Sequence, residues 1–328
     1  MPVKPRSLSR TVALLALALL AAGRPATGQV QFLLVADKAQ DRVCFIDTAT
    51  LAVVGTATTG HHPHELAATP DGRTAFAANY GAGDSISVID VPSRREVRKI
   101  PLGRASDPHG LAVSGDGRRL YTTCEGIRSV VEIDAATGAS LRAFATGQET
   151  THMLALAPGG RRLFAANLGS GSVSAIDLGR GKALTSVPTG AGCEGIDVTP
   201  DGAQVWAANK AAETVTVIDA RSHAVLASLP CRGRPIRAKA TPDGRLVLVA
   251  CARAGELAVF DVAARREVRR LRTGAWPIGV VVEPTGRRAF VANTEDGRVA
   301  VVDLGRMAVV GSVAVGREPD GMALAAPR

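Results

Sequence analysis

Residues 194–235 read EGIDVTPDGAQVWAANKAAETVTVIDARSHAVLASLPCRGRP. Four short apolar runs, GIDVT, QVWAAN, TVTVID and AVLASLP, are separated by Asp-Gly, a Lys-Ala-Ala-Glu loop and an Ala-Arg-Ser-His turn. Alternating residues over a few positions, bounded by turn formers, are β-strands. Four antiparallel strands in about forty residues, repeated at a fixed period, describe one blade of a toroidal all-β protein.

The repeat extends in both directions. An Asp closes the third run of each unit at Asp47, Asp90, Asp134, Asp177, Asp219, Asp261 and Asp303, always 42 to 44 residues from the last. Its side chain suits turn capping. A turn glycine recurs at 72, 117, 160, 202, 244 and 286, usually after Asp, which is a hairpin signal. The first unit, from Gln31 to Thr56, has three strands and lacks the innermost one. The terminal run DGMALA, Asp320 to Ala325, has the sequence of that missing strand. Docking it beside FLLVAD closes a seventh blade and leaves no open sheet edge. The expected fold is an all-β, seven-bladed β-propeller of four-stranded antiparallel blades with a 3+1 closure, one domain over 29–328.

Within this pattern, GRRLFAANLGSGSVSAIDLGRGKAL and DPHGLAVSGDGRRLY resemble YVTN-type β-propeller repeats, and the resemblance covers about 31–325. It implies the propeller fold and is open as to function: similar proteins include lactonase-like and streptogramin-lyase-like enzymes, amine-dehydrogenase heavy chains, haem-d1 domains and scaffolds. The Gly-His and Trp-Asp signatures of WD40 repeats are absent.

The N-terminus carries Lys4, Arg6 and Arg10 ahead of an apolar run from Val12 to Ala22 and a small-residue exit at Ala26-Thr27-Gly28. This pattern describes a secretory signal peptide over 1–28, too short to span a bilayer. It places the mature chain in the periplasm or outside the cell, with no transmembrane segment after cleavage. Cleavage lowers the net charge from +9 to +5. With only 11 aromatic residues, the chain offers no stacking platform for nucleic acid, which is not expected as a partner. Five cysteines show no disulfide framework, a Cys193–Cys231 pairing is weakly suggested by their successive loops, and no C-x-x-C-H motif for c-type haem occurs.

Two sets of positions fall at one mouth of the channel. At the start of strand 1 the repeat places His64, His109, His152, Glu194, Ile236, Ile278 and Asp320. At the end of strand 2 it places Asn79, Cys124, Asn167, Asn209, Cys251 and Asn293, with Asp37 in the closing blade. Three histidines and a carboxylate in consecutive blades suit a divalent ion, whether zinc, copper or iron on imidazoles or calcium or magnesium on oxygens. His64, His109, His152 and Glu194 are the candidate metal ligands, and Asp37 and Asp320 the candidate general bases. Arg234 and Arg237, with Asn79, Asn167 and Asn209, are candidate ligand contacts, because a guanidinium fork at a channel mouth suits a small anion. Asp197 and Lys239 occupy equivalent positions in adjacent blades and are expected to pair. Of the thiols, only Cys124, beside His109, is a candidate for reactivity.

The leading expectation is an exported binding or accessory protein with a small-ligand or metal site at one channel mouth. The alternatives are a metal-dependent, lactonase-like hydrolase or lyase and a scaffold for a partner protein. No Ser-His-Asp order, phosphate loop or dinucleotide fingerprint is present.

Overall fold

A computed structural model describes residues 31–81 and 84–328. The leader expected over 1–28 lies outside the described residues. Among the described residues, twenty-eight strands form seven four-stranded antiparallel sheets. Residues 63–101, 108–145, 151–188, 193–230, 235–272 and 277–314 make blades 2 to 7 in chain order. Blade 1 is built from β28 (Pro319–Ala325), β1 (Phe32–Asp37), β2 (Arg42–Asp47) and β3 (Ala52–Thr58), so the last strand of the chain pairs with the first. The 3+1 closure expected from DGMALA and FLLVAD is the one observed.

The first strand of each blade packs beside the first strands of its neighbours around the axis, while the fourth faces solvent. The core is therefore divided into seven seams, each shared by two adjacent blades. Every seam receives one large side chain from the third position of strand 2: Leu34, Phe76, Tyr121, Phe164, Trp206, Leu248 or Phe290. Truncating a buried aromatic to alanine in such a seam costs about 3–5 kcal/mol, from lost transfer energy plus the cavity left behind.

The seven periodic aspartates cap the turn between strands 3 and 4. Asp47 Oδ1 accepts from the backbone N–H of Ala49 and Thr50, and Asp134 and Asp219 repeat the arrangement. The glycines at 72, 117, 160, 202, 244 and 286 all have φ between +66° and +73°, the left-handed conformation that the strand 1–2 turn requires. Surface arginines also stitch the blades together: Arg98 donates to the carbonyls of Ala135 and Ala136 in the next blade at 3.1 and 2.8 Å. Arg288 does the same to Thr48 at 2.9 Å. The anticipated Lys239–Asp197 ion pair is present at 3.1 Å.

Candidate functional site

Three details of the repeat build the channel mouth. The residue before strand 1 is left-handed in every blade: His62, Asp107, Thr150, Gly192, Arg234, Trp276 and Glu318 have φ between +54° and +74°. Its carbonyl accepts the N–H of the residue just after strand 2, giving seven equivalent hydrogen bonds from Tyr80, Glu125, Leu168, Lys210, Ala252, Thr294 and Lys38. Strand 1 then carries a bulge in all seven blades, so Pro63 rather than His64 lies opposite Asn79. A bulge re-aims the extra residue. Here it turns the His64-type position toward the axis and the Asn79-type position away from it.

The result is a cavity of about 230 Å³ lined by Lys38, His64, His109, His152, Glu194, Lys210, Arg234, Ile236, Arg237, Trp276, Ile278 and Asp320. The three histidines, Glu194, Asp320 and both arginines meet there. Asn79, Asn167 and Asn209 do not: they are fully buried in the seams. Asn79 Nδ2 donates to Ser85 and Ser87 at 3.1 and 3.0 Å, and Asn209 Nδ2 to Thr214 and Thr216 at 3.0 and 2.9 Å. Asn167 bonds Ser172 and Ser174 in the same way. These amides anchor strand 2 to strand 3 and are not placed to touch a channel ligand.

Asp37 belongs with them. It is wholly buried, accepts from Arg42 Nε at 2.9 Å and from the N–H of Arg317 at 2.9 Å, and does not line the cavity. Asp320 does line it, paired with Lys38 at 3.0 Å and 3.4 Å from His64 Nδ1. Burial would raise its carboxyl, but Lys38, His64 and Arg237 outweigh burial and hold it below the usual carboxylate range. A lysine-bound carboxylate held below its ordinary range is a poor proton acceptor.

The imidazoles contact one another. His64 Nδ1 lies 3.1 Å from His109 Nε2 and its Nε2 lies 3.2 Å from His62 Nδ1. The His109 and His152 rings stack at 3.6 Å. His152 Nδ1 pairs with Glu125, whose other oxygen accepts from the Tyr80 hydroxyl at 3.1 Å. Burial pushes His64 down to about 3 and His109 well below the ordinary histidine range, so both are neutral. Among the described residues, no three His, Cys, Asp or Glu side chains are disposed to hold one metal ion. The expected His64–His109–His152–Glu194 ligand set is gathered but not convergent: Glu194 sits 3.9 Å from His152 Nε2 and binds Lys210 at 2.6 Å. The donor set does not fit a metal, and no metal chemistry is derived from it.

One position below, the axis is bridged. Around this level stand Glu65, Gly110, Met153, Gly195, Arg237, Gly279 and Gly321. A Cβ at Gly195, Gly279 or Gly321 would fall 2.1–2.3 Å from a carbonyl oxygen of the next blade, so the blades close tightly there. The three non-glycines meet: Arg237 Nη2 contacts Glu65 Oε1 at 2.5 Å and Nη1 donates to Met153 Sδ at 3.0 Å. Arg237 thus forms the floor of the cavity, with its guanidinium already engaged. Burial pushes the Glu65 carboxyl up in spite of that arginine.

Three of the four cations at the mouth have an acidic partner: Lys38 with Asp320, Lys210 with Glu194, Arg237 with Glu65. Arg234 has none among the described residues. Its guanidinium lies 5.7 Å from the Trp276 ring centre, and its Nε is buried without a hydrogen-bond partner. His109 Nδ1 and Asp320 Oδ1 are likewise buried without a hydrogen bond, although Asp320 Oδ1 lies 3.8 Å from Arg237 Nη2. The cavity therefore holds one cation, Arg234, with no acidic partner among the described residues, and buried polar atoms that make no hydrogen bond.

Cys124 is fully buried among Leu102, Leu120 and Val131, and burial pushes its thiol up to about 12, which removes it as a nucleophile. Cys193 does not approach Cys231; the neighbour of Cys231 is Cys251, at 3.6 Å. Lys38, Lys210, Trp276, Glu125, Tyr80 and Glu65 are the site residues that the sequence reading passed over.

A family model described as a YNCE-like β-propeller matches residues 142–231, about two repeats. That match agrees with the repeat seen around the ring. The chain is a seven-bladed β-propeller. No curated protein matches it significantly. Among solved structures the propeller is similar to Kuenenia stuttgartiensis hydrazine synthase, with a TM-score of 0.76 and 24% identity over 83% of this chain and 92% of that one. It is also similar to a functionally unknown protein from Desulfotomaculum acetoxidans DSM 771, with a TM-score of 0.78 and 16% identity over 90% and 99% of the two chains. At these identities the likeness shows the fold alone. Among the described residues, no helix is long and apolar enough to cross a membrane.

Proposed function

We propose that this propeller is an exported binding protein whose channel mouth takes one small monoanion, most simply a carboxylate. The observation that carries the reading is the unpaired Arg234 beside Trp276, in a mouth whose other three cations are neutralised. A guanidinium presents two parallel donors to a carboxylate, and the Trp276 face suits the planar or apolar remainder of the molecule. His109 Nδ1 offers a further polar contact. The imidazoles of His64 and His109 are neutral, so a single negative charge offsets Arg234. The cavity of about 230 Å³ is below the range of drug-sized pockets, about 300–1,000 Å³, and suits a molecule of a few carbons. The Arg237–Glu65–Met153 floor keeps it from passing through.

The reading is tested with the mature protein and a series of monocarboxylates from formate to benzoate, with chloride and sulfate as controls. Trp276 fluorescence is the readout, since Trp206 is wholly buried in a seam. At least one carboxylate quenches or enhances the emission and raises the melting temperature, as ligand binding to the native state requires. Arg234→Ala lowers that affinity at least tenfold. If no carboxylate shifts either signal, or Arg234→Ala binds as tightly as the parent, the reading fails. Export is checked by the N-terminal sequence of the protein recovered outside the cytoplasm, which should begin near Gln29.

A further inference from the structure

At one station the seam between blades 5 and 6 departs from the hydrogen-bonded ones. At the end of strand 2, Asn79, Asn167 and Asn209 bond to a Ser or Thr two residues inside strand 3: Ser87, Ser174 and Thr216. The preceding blade's exit residue joins the same knot, since the Thr189 carbonyl accepts from Thr216 and the Thr273 carbonyl from Asn293. In blade 6 all three polar members are missing together. Cys251 stands for the Asn, Ala258 for the Ser or Thr, and Cys231 for the exit threonine found as Thr59, Thr146, Thr189 and Thr273. The two thiols face each other across the seam with Sγ atoms 3.6 Å apart, both fully buried. Blade 3 supplies the contrast: Cys124 occupies the Cys251 station, but its exit residue is Leu102 and it packs in an apolar cluster.

We propose that Cys231 and Cys251 form a disulfide that clamps blade 5 to blade 6 in place of the hydrogen-bonded knot. Bond formation needs the sulfurs to close from 3.6 Å to about 2.05 Å. The oxidant is a small-molecule or protein disulfide, RSSR. The thiolate of one cysteine attacks it, forming a mixed disulfide and releasing RS⁻. The second cysteine's thiolate then attacks the protein-bound sulfur and releases another RS⁻. The two protons lost by the cysteines end on the two RSH, and the two electrons on the reduced oxidant. Because both sulfurs are sealed in the finished seam, exchange takes place before the seam closes. The inference is independent of the ligand site and of export.

The full chain is refolded in a buffer of oxidised and reduced glutathione, quenched in acid, denatured without reductant and alkylated. Of the five cysteines, which are free in the reduced chain, Cys44, Cys124 and Cys193 are expected to react. Peptides containing Cys231 and Cys251 are recovered linked, lighter by two hydrogens than the reduced pair. Cys124→Ser keeps the link, while Cys231→Ser and Cys251→Ser abolish it. Reductant lowers the melting temperature of the oxidised parent by several degrees and leaves that of Cys251→Ser unchanged. Five reactive thiols in the refolded parent, a link through Cys193, or a parent melting curve indifferent to reductant would each overturn the proposal. The thiol count on the parent chain decides the matter even if a variant fails to fold.

Discussion

Arg237 shows how one residue changes role between its chemistry and its surroundings. A guanidinium at a channel mouth has the chemistry of an anion contact, yet its neighbours at the same level are mostly glycines, and the space they leave is what lets it reach Glu65 and Met153. The Arg237 and Glu65 side chains are 9% and 10% exposed, so neither can exchange its partner for bulk water. Removing one member of such a pair strands the other, which typically costs about 3–5 kcal/mol, whereas replacing both with apolar residues is near neutral. Arg237→Met is therefore expected to lower the urea unfolding midpoint sharply, and Arg237→Met with Glu65→Leu to recover most of it. A single variant as stable as the parent would mean that the floor is not a strut. Arg234 is the opposite case: it is half-buried, has no acid beside its guanidinium and lies against an aromatic face, so its loss should move ligand affinity while leaving the midpoint within about 0.5 kcal/mol of the parent.

At the scale of the element, the blade was readable because its signals are local. Alternation, Asp-Gly turns and the capping aspartates act over a few residues, so the number of blades and the 3+1 closure follow from counting. The mouth was only half readable. The positions His64, His109, His152, Glu194 and Asp320 do share one level around the axis, and the bulge that turns them inward occurs in every blade. At the end of strand 2 the reading was out by one residue. Asn79, Asn167 and Asn209 turn into the seams, and it is the next residues, Tyr80, Glu125, Lys210 and Lys38, that reach the mouth. Successive side chains alternate across a strand, so an error of one exchanges channel for core. The charged residues at that following position were the available signal, since Lys and Glu tolerate burial in a seam far less well than Asn. What no local pattern carries is the partner of each charge, because Arg237 meets Glu65 only when the ring has closed. The same closure makes β28 indispensable. Ending the chain at Arg317 leaves β1 with one unpaired edge of buried apolar residues, Leu33 to Ala36, and such edges recruit other chains. The truncated protein is expected to elute as large species and scatter light under conditions where the full chain is monodisperse. A truncated monomer with an unchanged unfolding midpoint would show that blade 1 is complete without its borrowed strand.

The whole toroid imposes a pH dependence that no single blade would have. Seven first strands pressed around one axis bury the imidazoles of His64 and His109 among Lys38, Arg237 and each other, and burial is the largest cause of their depressed values. In the unfolded chain both titrate near 6.5; in the ring His64 is held down to about 3 and His109 also falls well below 6.5. Between those limits the unfolded state binds protons that the native state refuses, so stability is full above about 6.5 and is lost as the pH falls. The slope is about 1.4 kcal/mol per pH unit for each such histidine. Asp320, held below its ordinary range, adds a loss at still lower pH, whereas the raised carboxyl of Glu65 acts in the opposite sense by accepting a proton in the folded state. The two histidines act earliest on acidification, so the urea midpoint is expected to be flat from pH 8 to 7 and to fall steadily from pH 6.5 to 4.5. His64→Asn combined with His109→Asn should flatten that limb to the part contributed by other groups. A parent midpoint that stays constant down to pH 4.5 would mean that the imidazoles take up protons in the native ring. In that case the mouth would carry more positive charge than one carboxylate can balance, and the monoanion reading would have to give way to a more highly charged ligand.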